Sequence, residues 1–177
     1  MNTPAISLPS RLTGALFGAC IADALAMPVH WYYDTAALAR DYGRVQDYVR
    51  PKNPHPDSIL WRSRYRPVRP QADILHSQAR FWGQRGIHYH QFLEAGENTL
   101  NLKLSRLLMD SLIAREESDQ QDYLDRYVAF MTTPGTHNDT YVEECHREFF
   151  QAWAPHKKGP PARLPDEKHI GGLSLAL

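Results

Sequence analysis

Cysteine is almost absent from this chain: Cys20 and Cys145 are the only two in 177 residues. Two cysteines make no disulfide framework, so packing must hold the fold, and a reducing compartment suits it. Both stand in apolar, helix-like surroundings, which points to buried thiols. Net charge is absent too, with 20 Lys and Arg against 20 Asp and Glu. A chain balanced in this way is not built to attract nucleic acid over its whole surface. No internal repeat occurs, and no run alternates as a half-buried strand would. Hydrophobic content of 42% supports a core, and the length fits one domain.

What is present is helical. Residues Arg11 to His30 read as one apolar helix in which Gly14, Gly18, Ala22 and Ala26 recur every fourth position. Such a stripe carries no bulky side chain, so another backbone can approach it closely. Asp23 lies beside the stripe, and Pro28 stops the helix. A carboxylate in an apolar segment must be paired, liganded or open to a cleft. The stretch Leu12 to Val29, with its Gly-x-x-x-Gly spacing and Ala24-Leu-Ala26, has traits of a membrane or signal segment. Asp23 is expensive in lipid and Pro28 ends the run at the shortest spanning length, so the expectation is a cytoplasmic chain with no membrane partner.

The rest organises into a polar lead-in at residues 1–9 and one helical domain at 10–177. Asp34 caps a short helix from Thr35 to Tyr42, and Gly43 stops it. Pro51, Pro54, Pro56, Pro67 and Pro70 make residues 50–70 a long loop. Ile74 to Arg85 has no clear period, and a new element starts at His88. Leu100, Leu104, Leu107, Leu108 and Leu112 mark an amphipathic helix. Tyr123, Leu124, Tyr127, Val128 and Met131 mark the next, ended by Pro134-Gly135. A last helix buries Val142, Cys145, Phe149 and Trp153, and Thr140-x-x-Glu143 fits a capping box at its start. The run His169 to Leu177 is apolar and uncapped. It reads as a domain cut in its middle, or as a tail that docks on the core or a partner.

Several polar groups can carry chemistry, each beside a plainer reading. Glu97, Asn98 and Thr99 offer oxygen ligands to a hard divalent cation, or simply cap a helix and favour its dipole. His137, Asn138 and Asp139 precede a helix start that can hold an anion or serve acid–base work, or they are caps and loop residues. His88 and His90 lack zinc-ligand spacing and read as packing or surface histidines. Trp31, Tyr32 and Tyr33 either stack on a base or belong to the core. Arg62, Arg64, Arg66 and Arg69 alternate with Trp61 and Tyr65, a patch suited to phosphate or a base, or a solvated loop.

The first helix resembles the opening of the ADP-ribosylglycohydrolase family, Gly-Ala-x-x-Gly-x-x-x-Gly-Asp-Ala-x-Gly-x-Pro. It matches at Gly14, Ala15, Gly18, Asp23, Ala24 and Pro28, and departs at Ala22 and Ala26. A family Thr-Asp-Asp-Thr motif that holds magnesium falls on Gly96, Glu97, Asn98 and Thr99. The family's later Asp-x-Asp-Thr-like motif does not occur in the chain. The strings His88-Tyr-His, Ala95-Gly-Glu-Asn-Thr-Leu and His137-Asn-Asp-Thr-Tyr are similar to the branch of J-type crystallins and their selenoprotein relatives. The resemblance implies an all-α orthogonal multi-helix bundle, here its N-terminal part. It implies Mg2+-assisted hydrolysis of a bond to ADP-ribose, or a silent crystallin-like or ADP-ribose-binding relative. Asp23 and Asp139 would then be catalytic, His30, His137 and Asn138 would bind substrate, and Glu97, Asn98 and Thr99 would hold the metal.

Overall fold

A computed structural model describes residues 6–154. The run His169 to Leu177 therefore lies outside the described residues, and so does the choice between its two readings. Among the described residues there are helices and turns but no strand, so the chain is all-α.

The first helix, α1, spans Leu8–Ala26. It starts slightly before the expected point because Ser7 accepts the Ser10 N–H at 3.4 Å and Pro9 sits where no N–H is needed. A 3-10 turn at Met27–Val29, carrying Pro28, closes it. Apolar residues stand on all its sides and most are uncovered: Leu12 is 57% and Phe17 66% exposed. Only Ala24 of α1 is buried, followed by Met27 and Pro28 of the turn. A methyl added to Gly14 or Gly18 would meet nothing within 4 Å. At Gly14 and Gly18 the smooth stripe thus meets no second backbone among the described residues, contrary to expectation. Leu8–Val29 is long and apolar enough to cross a membrane.

Helix α2, Thr35–Asp41, forms as its sequence predicts. Asp34 Oδ1 accepts the N–H groups of Ala36 and Ala37 at 2.9 and 3.0 Å, and Gly43 leaves the helix at φ +62°. From there to Thr99 the chain makes only turns and 3-10 segments, at Leu60–Arg62, Pro70–Ala72 and His76–Phe81. The element expected at His88 is a series of turns. The proline-rich loop is irregular, as predicted, but it is packed: His55, Ser58 and Leu60 are buried. Tyr65 Oη donates to the Ala72 carbonyl at 2.6 Å, and the Ile59 N–H donates to Tyr89 Oη at 2.8 Å.

Helices α3 (Leu100–Arg115), α4 (Gln120–Thr132) and α5 (Glu144–Trp153) supply the core. Leu100, Leu104, Tyr127, Met131, Val142, Phe149 and Phe150 meet Ile74 and Leu75 there. Glu116, at φ +60°, takes the left-handed cap after α3, and Asp119 caps α4. The capping box predicted at Thr140 does not form, because α5 begins at Glu144. The Thr140 and Tyr141 N–H groups both donate to the Tyr89 carbonyl instead, at 2.9 and 3.1 Å. Trp82 Nε1 donates to the Thr140 carbonyl at 2.7 Å. Bonds to a distant loop thus override the local cap. Cys20 and Cys145 are both half-buried rather than buried.

Leu104 has no exposed surface, so Leu104→Ala leaves a cavity and should lower stability by about 2–5 kcal/mol. Ile113, on the same helix and 77% exposed, should change it by no more than about 0.5 kcal/mol on the same replacement. Urea denaturation of both variants measures the contrast.

Candidate functional site

The last turns of α1 set Asp23 against the start of α3. Asp23 Oδ1 accepts the Thr99 hydroxyl at 2.7 Å, and Oδ2 accepts the Thr99 N–H at 2.8 Å and Asn98 Nδ2 at 3.0 Å. Asn98 Nδ2 also donates to the Cys20 carbonyl at 2.7 Å. Thr99 holds the N-cap position of α3, yet its own hydroxyl makes no cap bond. The anionic oxygen at this helix start comes from α1 instead, where the helix dipole favours it. Sequence reading made Asp23 a catalytic candidate. The structure makes it the tie between α1 and α3, its lone pairs engaged by three donors.

The neighbouring cation cradle is already filled by protein. Lys103 Nζ lies 2.7 Å from Glu97 Oε1 and 3.8 Å from Asp139 Oδ2. Glu97 Oε2 accepts the Glu94 N–H at 2.9 Å. Magnesium asks for six oxygens in a near-ideal octahedron. The one carboxylate in the Glu97–Asn98–Thr99 set is neutralised by an ammonium one turn along α3, and the Thr99 hydroxyl and the Asn98 amide face Asp23. The residues so arranged do not fit a magnesium ion.

A second polar group lies around Asp139, which is 0% exposed. Its Oδ1 is 2.8 Å from His90 Nδ1, and His90 Nε2 is 2.9 Å from His30 Nδ1. The network assigns the protons. An ionised Asp139 accepts from His90 Nδ1–H, so His90 Nε2 accepts from His30 Nδ1–H. His30 Nε2 is left with its lone pair and has no hydrogen-bond partner among the described residues. Two more imidazoles brace the pair. His88 Nδ1 accepts the His90 N–H at 3.0 Å while its Nε2–H donates to the Pro28 carbonyl at 3.0 Å. His55 Nε2–H donates to the His30 carbonyl at 2.9 Å.

Burial, with His90 adding to it, holds His30 down at about 4. Burial and His90 hold His88 at about 3. Burial pushes the Asp139 carboxyl up, but the His90 hydrogen bond and the charges of His90 and Lys103 outweigh it and keep it below its usual range. Trp31 adopts φ 58°, a left-handed backbone that a bulky residue holds only under restraint. Its ring packs edge-on to Tyr89 at 4.3 Å and to Tyr141 at 5.5 Å, and stacks on His90 at 6.0 Å. Of the expected aromatic trio, Trp31 and Tyr32 pack on this cluster and Tyr33 is exposed.

Other candidates separate. His137, read from sequence as a substrate-binding or loop residue, is buried. Its Nε2–H donates to the Ile74 carbonyl at 3.1 Å, and its ring sits 6.1 Å from Phe130, because the turn before α5 folds inward. Burial lowers its pKa. Asn138 next to it is exposed. The structure thus gathers Asp23, Glu97, Asn98, Thr99, His30 and Asp139 and excludes Asn138. Sequence reading missed His90 and Lys103. Lys103 follows Thr99 at helical i, i+4 spacing, a signal available before folding; nothing in His88-Tyr-His90 says which imidazole reaches Asp139. In the arginine loop, Arg62 and Arg85 cover the Trp61 ring at 4.6 and 3.8 Å.

The sequence model described as ADP-ribosylglycohydrolase matches residues 4–173. The chain belongs to the ADP-ribosylglycohydrolase family. Neither a curated protein nor a solved structure matches it. Within this family member, the α1 segment that carries the resemblance at Asp23 delivers that residue to α3, and the segment after it delivers His30 to His90 and Asp139.

Asp23→Ala should remove the tie and leave the Thr99 N–H and hydroxyl without their acceptor, while Asn98 keeps its bond to the Cys20 carbonyl, at a cost of about 2–3 kcal/mol. Hydrogen exchange should then rise at the C-terminal turns of α1. Acid should weaken the whole fold. His30 and His88 stay neutral when folded but take a proton near 6.5 when unfolded. The unfolded chain therefore binds more protons below pH 6.5, and stability is present above that pH and lost as it falls toward about 4. Denaturation midpoints between pH 7 and 4 read this directly.

Proposed function

We propose that this chain is a hydrolase that releases ADP-ribose from a modified substrate, with His30 accepting the proton of the attacking water. The observation that carries the reading is the Asp139–His90–His30 series, assembled from three distant segments in a member of this family. The water oxygen bonds to the anomeric carbon as the bond to the acceptor breaks, and the acceptor atom leaves with that bond's electron pair. The water proton passes to His30 Nε2. The sugar passes through an oxocarbenium-like state. His90 fixes the His30 tautomer and shares the positive charge, and Asp139 stabilises that charge while staying ionised. Trp31, strained and stacked on His90, keeps the imidazoles in register. No step runs through magnesium, because Lys103 neutralises Glu97. The same proposal places the chain in the cytoplasm, acting on ADP-ribosylated molecules rather than on nucleic acid or a membrane.

Release of ADP-ribose from ADP-ribosylated protein and from O-acetyl-ADP-ribose tests this. His30→Ala and His90→Ala should each lower kcat by about 10²–10⁴-fold, the usual range for a positioned acid–base group. The rate should hold from neutral pH downward and fall as pH approaches about 4, where His30 protonates. Chelation of divalent ions by EDTA should leave it unchanged. An absence of turnover on every such substrate overturns the proposal.

One observation favours a second reading. The ammonium on Glu97 removes the charge that the family's metal motif would supply. A catalytically silent, crystallin-like or ADP-ribose-binding protein fits that loss. Calorimetric binding of ADP-ribose without turnover, unaffected by magnesium, distinguishes it from the hydrolase.

A further inference from the structure

Away from the imidazole cluster, three metal-ligating side chains converge where the chain enters α5. One donor atom each from Glu143, Cys145 and His146 lies within 4.8 Å of the other two. They come from four consecutive residues because the backbone turns there, from extended at Glu143 (ψ 162°) into helix at Glu144. Two of them are held from other helices. Asn101 of α3 donates to Glu143 Oε1 at 3.2 Å, and the phenol of Tyr127 in α4 lies 2.9 Å from His146 Nδ1.

We propose that Glu143, Cys145 and His146 bind a zinc ion, with a fourth position left for water. The donor set selects the metal. A thiolate beside an imidazole suits zinc and excludes magnesium and calcium, which take oxygen donors. Bonds of about 2.0–2.3 Å put tetrahedral ligand atoms roughly 3.3–3.8 Å apart, so the donors need to close by no more than about 1.5 Å. The ring already has the support a ligating histidine uses. With Nδ1–H given to the Tyr127 oxygen, Nε2 is the nitrogen that coordinates. Thiolate and carboxylate together balance the charge of the ion. Glu143 and Cys145 are only half-buried, which gives the ion a way in. Bound there, it would brace the start of α5 against α3 and α4, on a donor set separate from the Glu97–Lys103 pair and from His30.

Cobalt(II) titration of the full chain under reducing conditions tests the proposal. The expected spectrum has the d–d bands of a tetrahedral ion and a thiolate-to-cobalt charge-transfer band, both abolished by added zinc. Cys20→Ala should keep the charge-transfer band and Cys145→Ser should lose it. Tyr127→Phe should weaken zinc binding by about 10–100-fold, as loss of an outer partner does at such sites. Zinc should raise the melting temperature of the unaltered chain but not that of Cys145→Ser, with circular dichroism showing that this variant folds. A missing charge-transfer band, or one that survives Cys145→Ser, overturns the site. These readings are independent of any hydrolysis, so they stand or fall apart from the proposed reaction.

Discussion

Asp139 is an ionised carboxylate with no exposed surface, and most of the polar architecture follows from that burden. An unpaired buried charge is costly enough to reorganise a small fold. Here two groups from other segments answer it. His90 arrives from the turn-rich stretch before α3 and Lys103 from the first turns of α3. His30 then completes the line from the end of α1. Four parts of the chain thereby meet at one carboxylate. The stretch between α2 and α3 has only short 3-10 segments and neither an α-helix nor a sheet ladder of its own, so bonds of this kind decide its course. His88 on Pro28, His55 on His30 and Tyr89 on Thr140 and Tyr141 belong to the same web.

Asp23 solves a different problem. It stands on a helix with little other purchase on the rest of the molecule, since α1 is buried only at Ala24 and its following turn is what enters the core. One carboxylate with three donors fixes the end of α1 to the start of α3. Its position in the family motif and its structural use agree without requiring it to touch a substrate. Lys103 shows how one residue alters a motif's chemistry. Where the family pattern gathers negative charge for a cation, this chain supplies its own cation on the next helical turn.

The helical core was legible because its pattern is strongly periodic. Leu100 and Leu104 fall on one face of α3, Tyr127 and Met131 on one face of α4, and all four are buried. Asp34 as a cap was legible because it acts on amides two and three residues ahead. The start of α5 was not, since the Thr140 and Tyr141 amides bond to Tyr89, some fifty residues earlier in the chain, and no local rule contains that partner. The proline-rich loop was legible as irregular, but its burial was not, because proline density forbids a helix and says nothing about what covers the backbone. The burial of His137 was not legible for a similar reason: beside Asn138 and Asp139 it reads as a substrate-binding or loop residue, and the fold turns it inward.

The sequence by itself determined the class, the three core helices, the α2 cap and the family motif around Asp23. These are statements about neighbours within a few residues, where helix geometry makes spacing equivalent to position. Only the tertiary structure decided which titratable groups share a site. His30, His90, Lys103 and Asp139 are far apart along the chain and carry no common spacing. What joins them is the requirement that a buried negative charge be met, here by one hydrogen bond from His90 and the nearby charge of Lys103, and that requirement acts through space rather than along the sequence.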